Sequence, residues 1–463
     1  MHSESQTRSV PVAAEVDVLV AGGGIAGPMA ALAAAREGAR TLLVERYGAL
    51  GGNIGPGMFS GRVLHLALGF PSAMPEGLQG IPGEFINRCE GLCDGQLGHD
   101  CLRDSQVVSY VLFKLLKENG VALRLNAFAS DPLMEGPRVV GLTVEGKGGP
   151  AAIRANVVID ATGDADVAFR AGAPTDPDTT YMKPGLYFAL AVVDEARLNA
   201  FLYGPFKESD DDAAWRKQRR IEDGGAIYTL PTPLVPLYRK AWELGEYRYY
   251  GRIGDLAVAA VDHGWYPTRD GIVDAQIGLD AKRHLDVGDA AVMSELEVGA
   301  RQFIFETAQF MRRHVPGCER SYLMMIAPYF HFRGGRSIRA AYALTAGDVA
   351  AGRRFDDVMF VVYGSETQDR APGGNDFPYR QLLPREVEGL LVAGRAAIVQ
   401  PPVMRDRWKV LLMGQAAGVA AAQAVRDGVL PSQVDVKALQ RTLARKYRAP
   451  LGDAARLREL GIV

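Results

Sequence analysis

A glycine-rich segment near the N-terminus has the spacing of a phosphate-binding turn. It reads GGGIAG from Gly22 and satisfies the pattern G-x-G-x-x-G. Gly22 permits a tight turn, and Gly24 lets the backbone approach a diphosphate because it has no Cβ. Gly27 lets a helix pack close to the preceding strand. The first N–H groups of that helix, near Ile25 and Ala26, would favour an anion, so the segment predicts a dinucleotide site.

The residues around this turn predict the elements that must position it. The apolar run 17–21 is typical of a buried strand, the alanine-rich stretch 28–37 of a helix, and 40–45 of a second strand. Together they make one βαβ unit. Glu45 follows Gly27 by 18 residues, where an acid can accept hydrogen bonds from ribose hydroxyls and disfavours the 2′-phosphate of NADP. An ordinary structural turn is the alternative.

The α/β pattern continues after this first unit and returns near the other end of the chain. Helices are predicted at 105–118 and 414–425, and strands at 121–125, 139–145, 151–154, 157–160 and 390–393. Prolines, aromatic residues and charges become frequent in between, where 208–220 is predicted as a solvated helix. This order predicts a discontinuous dinucleotide-binding domain, residues 1–175 and 329–463, with an inserted substrate domain at 176–328.

The residues after Glu45 narrow the class of nucleotide. Arg46 follows the acid, and the sequence Leu50-Gly51-Gly52 comes shortly after it, followed by Asn53. An acid followed closely by Leu-Gly-Gly resembles the FAD-binding flavoproteins of the glutathione-reductase-like superfamily. The resemblance implies non-covalent FAD on a Rossmann-like α/β domain of the GR2 type, with an inserted mixed α+β domain.

Four further segments resemble one family, the FAD-dependent oxidoreductases of the FAD_oxidored type. They are residues 157–174, 340–357, 377–395 and 413–422, so the resemblance covers both ends of the chain and is weakest over 176–328. It implies further contacts with FAD from Ala129, Ala161, Thr162, Gly163, Gly394, Arg395, Gly414, Gln415, Ala416 and Ala417.

Two of these segments also have a physical reason to lie at a ligand site. Gly394 is predicted to end a strand at the carboxyl edge of the sheet, where ligands gather. Gly414 is predicted to open a helix, whose N-terminal N–H groups would suit the flavin N1–C2=O edge that becomes negative on reduction. Close helix packing is the alternative explanation for its small residues.

Candidate catalytic residues are one histidine and three arginines. His331 is expected to act as a general base or an orienting donor, because histidine titrates near neutral pH. Arg333, Arg336 and Arg405 stand where the family usually has arginines, and they would clamp a carboxylate or phosphate. Structural ion pairs are the alternative. The chain departs from the family at 334–335, Gly-Gly in place of Glu-Thr, and at 402–404.

The cysteines do not predict a second cofactor. Cys89, Cys93 and Cys101, with His99 as a fourth ligand, could hold zinc or an iron–sulfur cluster. Their spacing, C-x3-C-x7-C, matches no common metal pattern, so no metal is expected. His65 carries no specific signal for covalent flavin attachment. A second G-x-G-x-x-G is absent from the sequence, which argues against a dedicated NAD(P)H domain.

Composition excludes several classes of partner. The 463 residues carry a formal net charge of −2, which offers no electrostatic footprint for nucleic acid or an anionic membrane. Without a long apolar run or a signal-like N-terminus, and with four cysteines, the expected location is the cytoplasm. A homo-oligomer is compatible with the sequence.

These features predict a FAD-dependent oxidoreductase. The expected reaction is two-electron oxidation of a small, polar, anionic molecule by hydride transfer to flavin N5, with oxygen or a carrier protein as electron acceptor. One alternative is reduction of an activated C=C bond, as in fumarate-reductase-like flavoproteins. Another is a non-catalytic FAD-binding subunit, which the Gly334–Gly335 pair favours.

Overall fold

The computed structural model of the chain describes residues 9–57, 78–92, 105–177, 184–222, 232–254, 256–259, 266–269, 271–280, 286–332, 335–362, 374–398 and 407–462. The chain divides into two compact units. Unit 1 comprises Met1–Gly55, Val63–Thr180 and Gly334–Val463, and unit 2 comprises Pro56–Arg62 and Tyr181–Arg333.

The strands of the described residues are β1 (Val12–Ala21), β2 (Thr41–Glu45), β3 (Ala122–Leu125), β4 (Phe128–Glu135), β5 (Arg138–Gly146), β6 (Gly149–Asp160), β7 (Thr175–Asp176), β8 (Gly185–Ala191), β9 (Tyr250–Ile253), β10 (Leu256–Ala259), β11 (Tyr266–Arg269), β12 (Ile272–Asp280), β13 (Tyr322–Ile326), β14 (Ser337–Ile338), β15 (Val358–Val362), β16 (Asn375–Pro378) and β17 (Leu390–Val392).

The α-helices of the same residues are α1 (Ala26–Arg36), α2 (Gly80–Gly91), α3 (Ser105–Glu118), α4 (Asp166–Arg170), α5 (Glu195–Tyr203), α6 (Asp210–Glu222), α7 (Val235–Glu243), α8 (Ala290–His314), α9 (Ala346–Ala350), α10 (Arg407–Asp427), α11 (Val436–Arg445) and α12 (Ala454–Glu459). Within this part of the chain, no helix combines the length and the apolar character needed to cross a membrane.

Unit 1 is built on a parallel sheet. Strands β3, β2, β1, β6 and β17 lie side by side in that order and run parallel. The residues Val18–Ala21 at the end of β1 are fully buried, which is why this strand reads as a continuous apolar run. This sheet with its crossover helices is the Rossmann-like α/β class that the sequence predicted.

Strand β6 is one strand where the sequence predicted two. It runs unbroken from Gly149 to Asp160. Its first residues pair antiparallel with β5, and most of its length pairs parallel with β1. The exposed Arg154 and Asn156, rather than a break in the backbone, separate the two apolar stretches that resembled separate strands.

Helix α10 begins earlier than predicted. It starts at Arg407, so Gly414 lies two turns inside it, and the prediction that Gly414 opens the helix is wrong. A Cβ on Gly414 would lie 2.2 Å from the carbonyl oxygen of Ala26, and one on Gly418 would lie 2.1 Å from that of Ala30. The small residues therefore serve close packing of α10 against α1.

Unit 2 contains an antiparallel sheet of a different kind. Its described strands follow the order β13-β8-β12-β10-β9, with β11 paired to β12. Residues of helices α5, α7 and α8 share one apolar core with this sheet, including Leu198, Tyr238 and Ile304. Unit 2 is thus the mixed α+β part of the fold.

Candidate cofactor site

The turn between β1 and α1 has the backbone geometry that only glycine allows. Gly22 has a φ of +105°, and a Cβ there would lie 2.4 Å from the carbonyl oxygen of Ala161. A Cβ on Gly27 would lie 1.8 Å from the carbonyl oxygen of Gly22. These two glycines are required by the contact between strand, turn and helix.

Among the described residues, no neighbour requires a glycine at position 24. No heavy atom of the described structure lies within 4 Å of the position a Cβ would take on Gly24. This open space lies beside the N-terminus of α1, where Ile25 is the N-cap residue and makes no side-chain cap hydrogen bond. The N–H groups of the first turn and this space together fit a diphosphate.

Glu45 reaches this turn from the end of β2. Its carboxylate accepts hydrogen bonds from the backbone N–H of Gly23 at 2.6 Å and of Tyr47 at 2.9 Å. Burial raises the pKa of Glu45, and the two backbone hydrogen bonds act in the opposite direction. The acid predicted for ribose hydroxyls is therefore held at the edge of the glycine turn. Arg46 beside it is exposed, with its guanidinium 4.8 Å from the centre of the Tyr47 ring.

The second glycine segment lies directly on the first. The N–H of Gly51 donates to the carbonyl of Gly23 at 2.8 Å, and a Cβ on Gly52 would lie 3.0 Å from Cα of Gly24. Both Gly51 and Gly52 have positive φ, and Asn53 continues into a 3-10 helix. The loops after β1 and β2 therefore form one continuous backbone surface beside the open space at Gly24.

The loop after β6 closes the same edge of the sheet. The N–H of Ala161 donates to the carbonyl of Ala21, and buried Asp160 accepts hydrogen bonds from both N–H and Oγ1 of Thr162. Ala129 lies on β4, and its carbonyl accepts a 3.2 Å hydrogen bond from Arg170. The structure thus brings Ala161 and Thr162 to the glycine turn, and it shows Ala129 in a contact with Arg170.

Arg395 and Arg336 are both held by acids of this loop. Arg395 donates to the carbonyl of Gly163 at 2.8 Å and to Asp164 at 2.5 Å. Arg336 donates to Asp166 at 2.6 Å, and its guanidinium lies 4.3 Å from the centre of the Phe169 ring. Arg336 thus forms the structural ion pair that was the alternative for it, and its role in clamping an anion stays a prediction.

Asp166 has an unusual electrostatic environment. Burial raises its pKa to about 6, the negative charges of Asp160 and Asp164 add to this rise, and Arg336 opposes it. Three carboxylates therefore lie close together at the carboxyl edge of β6: Asp164 and Asp166 pair with Arg395 and Arg336, and Asp160 accepts from Thr162 and from the N–H of Ala168. The sequence analysis missed them, although the spacing in ATGDAD, residues 161–166, was available as a signal.

Gly335 has a steric reason to be glycine. A Cβ at this position would lie 1.9 Å from Oδ1 of Asp164, within the ion pair that Asp164 forms with Arg395. The glycine that stands at position 335 in place of the family's usual residue therefore leaves the space that the Asp164 side chain occupies. Gly334 lies outside the described residues.

The other predicted contacts at this edge have mixed outcomes. Gly394 follows β17 with a φ of +97°, and its N–H donates to the sulfur of Met413. Gln415 is buried, and its Oε1 accepts a hydrogen bond from the N–H of Ile81 at the start of α2. Ala416 and Ala417 are also buried inside α10. Backbone N–H groups inside a helix donate to its own carbonyls, so the contact predicted for 414–417 through a helix N-terminus is not formed.

His331 belongs to unit 2. Its backbone forms an antiparallel bridge with Gly185, and its ring centre lies 5.2 Å from that of Tyr187. A Cβ on Gly185 would lie 2.2 Å from Nε2 of Gln276 and 2.8 Å from Cε1 of His331. His331, Gln276 and Asp274 are all buried, and the two β12 residues project to the same side of the sheet. The sheet therefore places the buried side chains of Gln276 and His331 together at Gly185, and the sequence analysis found only the histidine.

The remaining predicted residues lie outside the described part of the chain. They are Arg333, Arg405, His65, Cys93, His99 and Cys101. Cys89 is described: it is buried in α2, and burial raises the pKa of its thiol to about 12. Within the described residues, no group of His, Cys, Asp or Glu side chains is arranged to hold a metal ion.

The fold and the glycine site define a Rossmann-type dinucleotide-binding protein. The sequence profile of the family described as FAD dependent oxidoreductase matches residues 17–443. The chain belongs to this family, so it is a flavoenzyme that depends on FAD. Among curated proteins, none matches the sequence significantly.

Solved structures of flavoproteins resemble the chain at low identity. A geranylgeranyl bacteriochlorophyll reductase-like protein from Thermoplasma acidophilum is 14% identical, with a TM-score of 0.44. The match covers 94% of this chain and 84% of that protein. A flavoprotein/dehydrogenase from Cytophaga hutchinsonii is 13% identical, with a TM-score of 0.41. The match covers 93% of this chain and 83% of that protein. The p-nitrophenol 4-monooxygenase from Pseudomonas putida is 14% identical, with a TM-score of 0.39. The match covers 97% of this chain and 93% of that protein. Values this low do not identify a reaction.

Proposed function

We propose that unit 1 binds FAD non-covalently and that the enzyme oxidises a small polar organic molecule by two electrons. The observation that carries the cofactor site is the open space at Gly24, bordered by the Glu45 carboxylate and the N-terminus of α1. When bound, the isoalloxazine supplies a two-electron acceptor at N5.

The residues of unit 1 have separable roles in this proposal. The turn at Gly22–Gly27 and the first N–H groups of α1 hold the diphosphate, and Glu45 accepts from the ribose hydroxyls. Gly51, Gly52 and the loop at Ala161–Gly163 present backbone without side-chain bulk. Asp164 fixes Arg395 and therefore the position of the loop after β17.

His331 is kept as the candidate for proton transfer. When an alcohol or amine is oxidised by two electrons, hydride leaves the carbon and a proton leaves the adjacent O–H or N–H group. His331 is proposed to accept that proton. Arg333, Arg336 and Arg405 remain the proposed partners of an anionic group, and Arg336 is also paired with Asp166. The proposed substrate is polar, and the substrate screen below tests whether it is anionic.

The first experiment is an absorption spectrum before and after heat denaturation. Flavin bands, with free flavin released on heating, support the cofactor site; a colourless protein that does not take up FAD overturns it. Alcohols, amines and carboxylates are then added anaerobically, and bleaching of the flavin supports oxidation. Reoxidation of the dithionite-reduced enzyme by an unsaturated acid, without bleaching by any saturated compound, overturns oxidation in favour of a reductase. Bound FAD that responds to neither overturns catalysis and leaves an FAD-binding subunit.

A further inference from the structure

The loop after β6 concentrates negative charge, and the proposal above gives this charge no role. Asp160 is the last residue of β6, Asp164 lies in the loop, and Asp166 begins α4. Asp160 is completely buried, and the side chains of Asp164 and Asp166 are only 13% and 22% exposed. Carboxylates held close together and largely out of water disfavour one another's ionised form.

The charge of Asp166 depends on pH near neutrality. The charged groups that act on it are Asp160 and Asp164 from the same loop, Arg170 from its own helix and Arg336 from the segment before β14. Burial and the two acids raise the pKa of Asp166 to about 6, and the two arginines oppose this rise. A further negative charge near Asp166 would raise its pKa again.

The same loop lies against the glycine turn. A Cβ on Gly22 would lie 2.4 Å from the carbonyl oxygen of Ala161 and 3.0 Å from the backbone nitrogen of Thr162. Asp166 is tied to this contact, because its N–H donates to Oγ1 of Thr162 at 3.0 Å. Two short contacts and one side chain therefore separate Asp166 from the turn, a span on the order of the Debye length of about 10 Å at 0.1 M salt. A diphosphate at this turn adds negative charge to that of the loop.

We propose that FAD binding in unit 1 is coupled to the uptake of a proton by Asp166, so that the protein holds FAD more tightly as the pH falls. This inference rests on the proposed binding of FAD and adds a regulation to the same site. The proton comes from the solvent and adds to the Asp166 carboxylate, and the positive charge of Arg336 is then no longer neutralised by that acid. Because the pKa of Asp166 is higher with FAD bound than without it, the dissociation constant is constant below both values, rises between them and is constant again above them.

Glu45 would produce a pH dependence of the opposite sign. Burial raises its pKa too, but its proposed role is to accept hydrogen bonds from the ribose hydroxyls, which the ionised carboxylate does best. Titration of Glu45 would therefore make FAD bind more tightly as the pH rises. The direction of the change in FAD affinity thus separates the two acids.

The test compares the native protein with D166N and with a matched control, D17N. Asp17 also forms an ion pair, at 2.8 Å with Arg40, but it lies five residues before Gly22, about 16 Å along β1 at 3.3 Å per residue. Hydrogen bonds from Arg40 lower its pKa, so Asp17 stays ionised over the range tested. The dissociation constant of FAD is measured by fluorescence titration between about pH 5 and 8. Calorimetry in two buffers with different heats of ionisation counts the protons taken up.

In the native protein, the dissociation constant of FAD is expected to rise about three- to tenfold as the pH increases above about 6, with net proton uptake on binding. D17N should keep this rise. D166N should lack both the rise and the proton uptake, and at about pH 8 it should bind FAD at least as tightly as the native protein does at about pH 5. A constant native affinity overturns the proposal, as does a rise that D166N retains, because the proton would then bind to another group.

R336M supplies a second readout, which decides the question if D166N does not fold. Arg336 opposes the rise in the pKa of Asp166, so its removal should move the change in FAD affinity to higher pH. A change that stays at its native pH in R336M contradicts the proposal. Failure of the native protein to bind FAD at any pH is a separate outcome, because it overturns the proposed function itself.

Discussion

The carboxylate of Glu45 accepts a 2.6 Å hydrogen bond from the backbone N–H of Gly23. The two residues are 22 positions apart, and the parallel pairing of β1 with β2, in which Ala21 lies opposite Val44, brings them together. An acid on one strand and a phosphate turn on its neighbour thus form one rigid site. Its separate parts can be tested one at a time.

Replacing Glu45 by Gln tests the charge at this site. A hydrogen bond to a charged group contributes about 1.5–3 kcal/mol against about 1 for a neutral one, so the dissociation constant of FAD is expected to rise about tenfold. Because the two carboxylate oxygens accept from two backbone N–H groups and an amide has only one acceptor oxygen, the free energy of unfolding without FAD should also fall, by about 1–3 kcal/mol. Fluorescence titration and urea unfolding measure the two quantities. The control is E15Q, at an exposed position of β1, and equal FAD affinities for E45Q and E15Q contradict the role.

Alanine at Gly24 and at Gly27 should separate cofactor binding from folding. A methyl group on Gly24 meets only open space, so G24A is expected to change the free energy of unfolding by no more than about 0.5 kcal/mol. It should weaken FAD binding at least about tenfold, because the methyl group fills space that the diphosphate needs. G27A should lose about 1–3 kcal/mol or more of stability, because its methyl group meets the Gly22 carbonyl. Native FAD affinity in G24A rules out a diphosphate beside Gly24.

The contact between Gly335 and Asp164 predicts a coupled pair of substitutions. G335A is expected to cost about 1–3 kcal/mol in urea unfolding, because its methyl group displaces Asp164 from Arg395. In a D164A background the same change should cost much less. G91A, at the end of α2, is the control, because a Cβ on Gly91 meets nothing within 4 Å. Costs that add in the double variant would show that the two positions are independent.

The pKa of Asp166 predicts how stability depends on pH. Its folded pKa of about 6 lies above the ordinary value of 3.8, so between these pH values the folded protein holds a proton that the unfolded chain has released. The contribution of Asp166 to the free energy of unfolding should therefore fall as pH rises from about 4 to 6, by on the order of 2 kcal/mol. Urea unfolding across this range should show that D166N lacks this fall. An identical pH dependence in native and D166N protein would contradict the raised pKa.

Much of the cofactor site follows from local sequence. The spacing from Gly22 to Gly27 and the position of Glu45 predicted a βαβ unit, and α1 and β2 lie within one or two residues of the predicted bounds. The helix at Ser105–Glu118 also has its predicted bounds. These features depend on neighbours in the chain, through apolar periodicity and the backbone freedom of glycine, so a single sequence is sufficient for them.

The partners of charged and small residues depend on chain segments far apart in sequence. Arg395 pairs with Asp164 across 231 positions, and Arg336 pairs with Asp166 across 170, so a pattern that offered free arginines for an anion gave no sign of their counter-charges. The small residues of α10 likewise matched a helix N-terminus until their contact with α1 showed that they lie inside the helix. The sequence alone determined the family, the cofactor and the turn that fits it, because these depend on local backbone geometry. Only the tertiary structure decided which side chains remain for chemistry, because ion pairs and helix packing join residues that the chain separates.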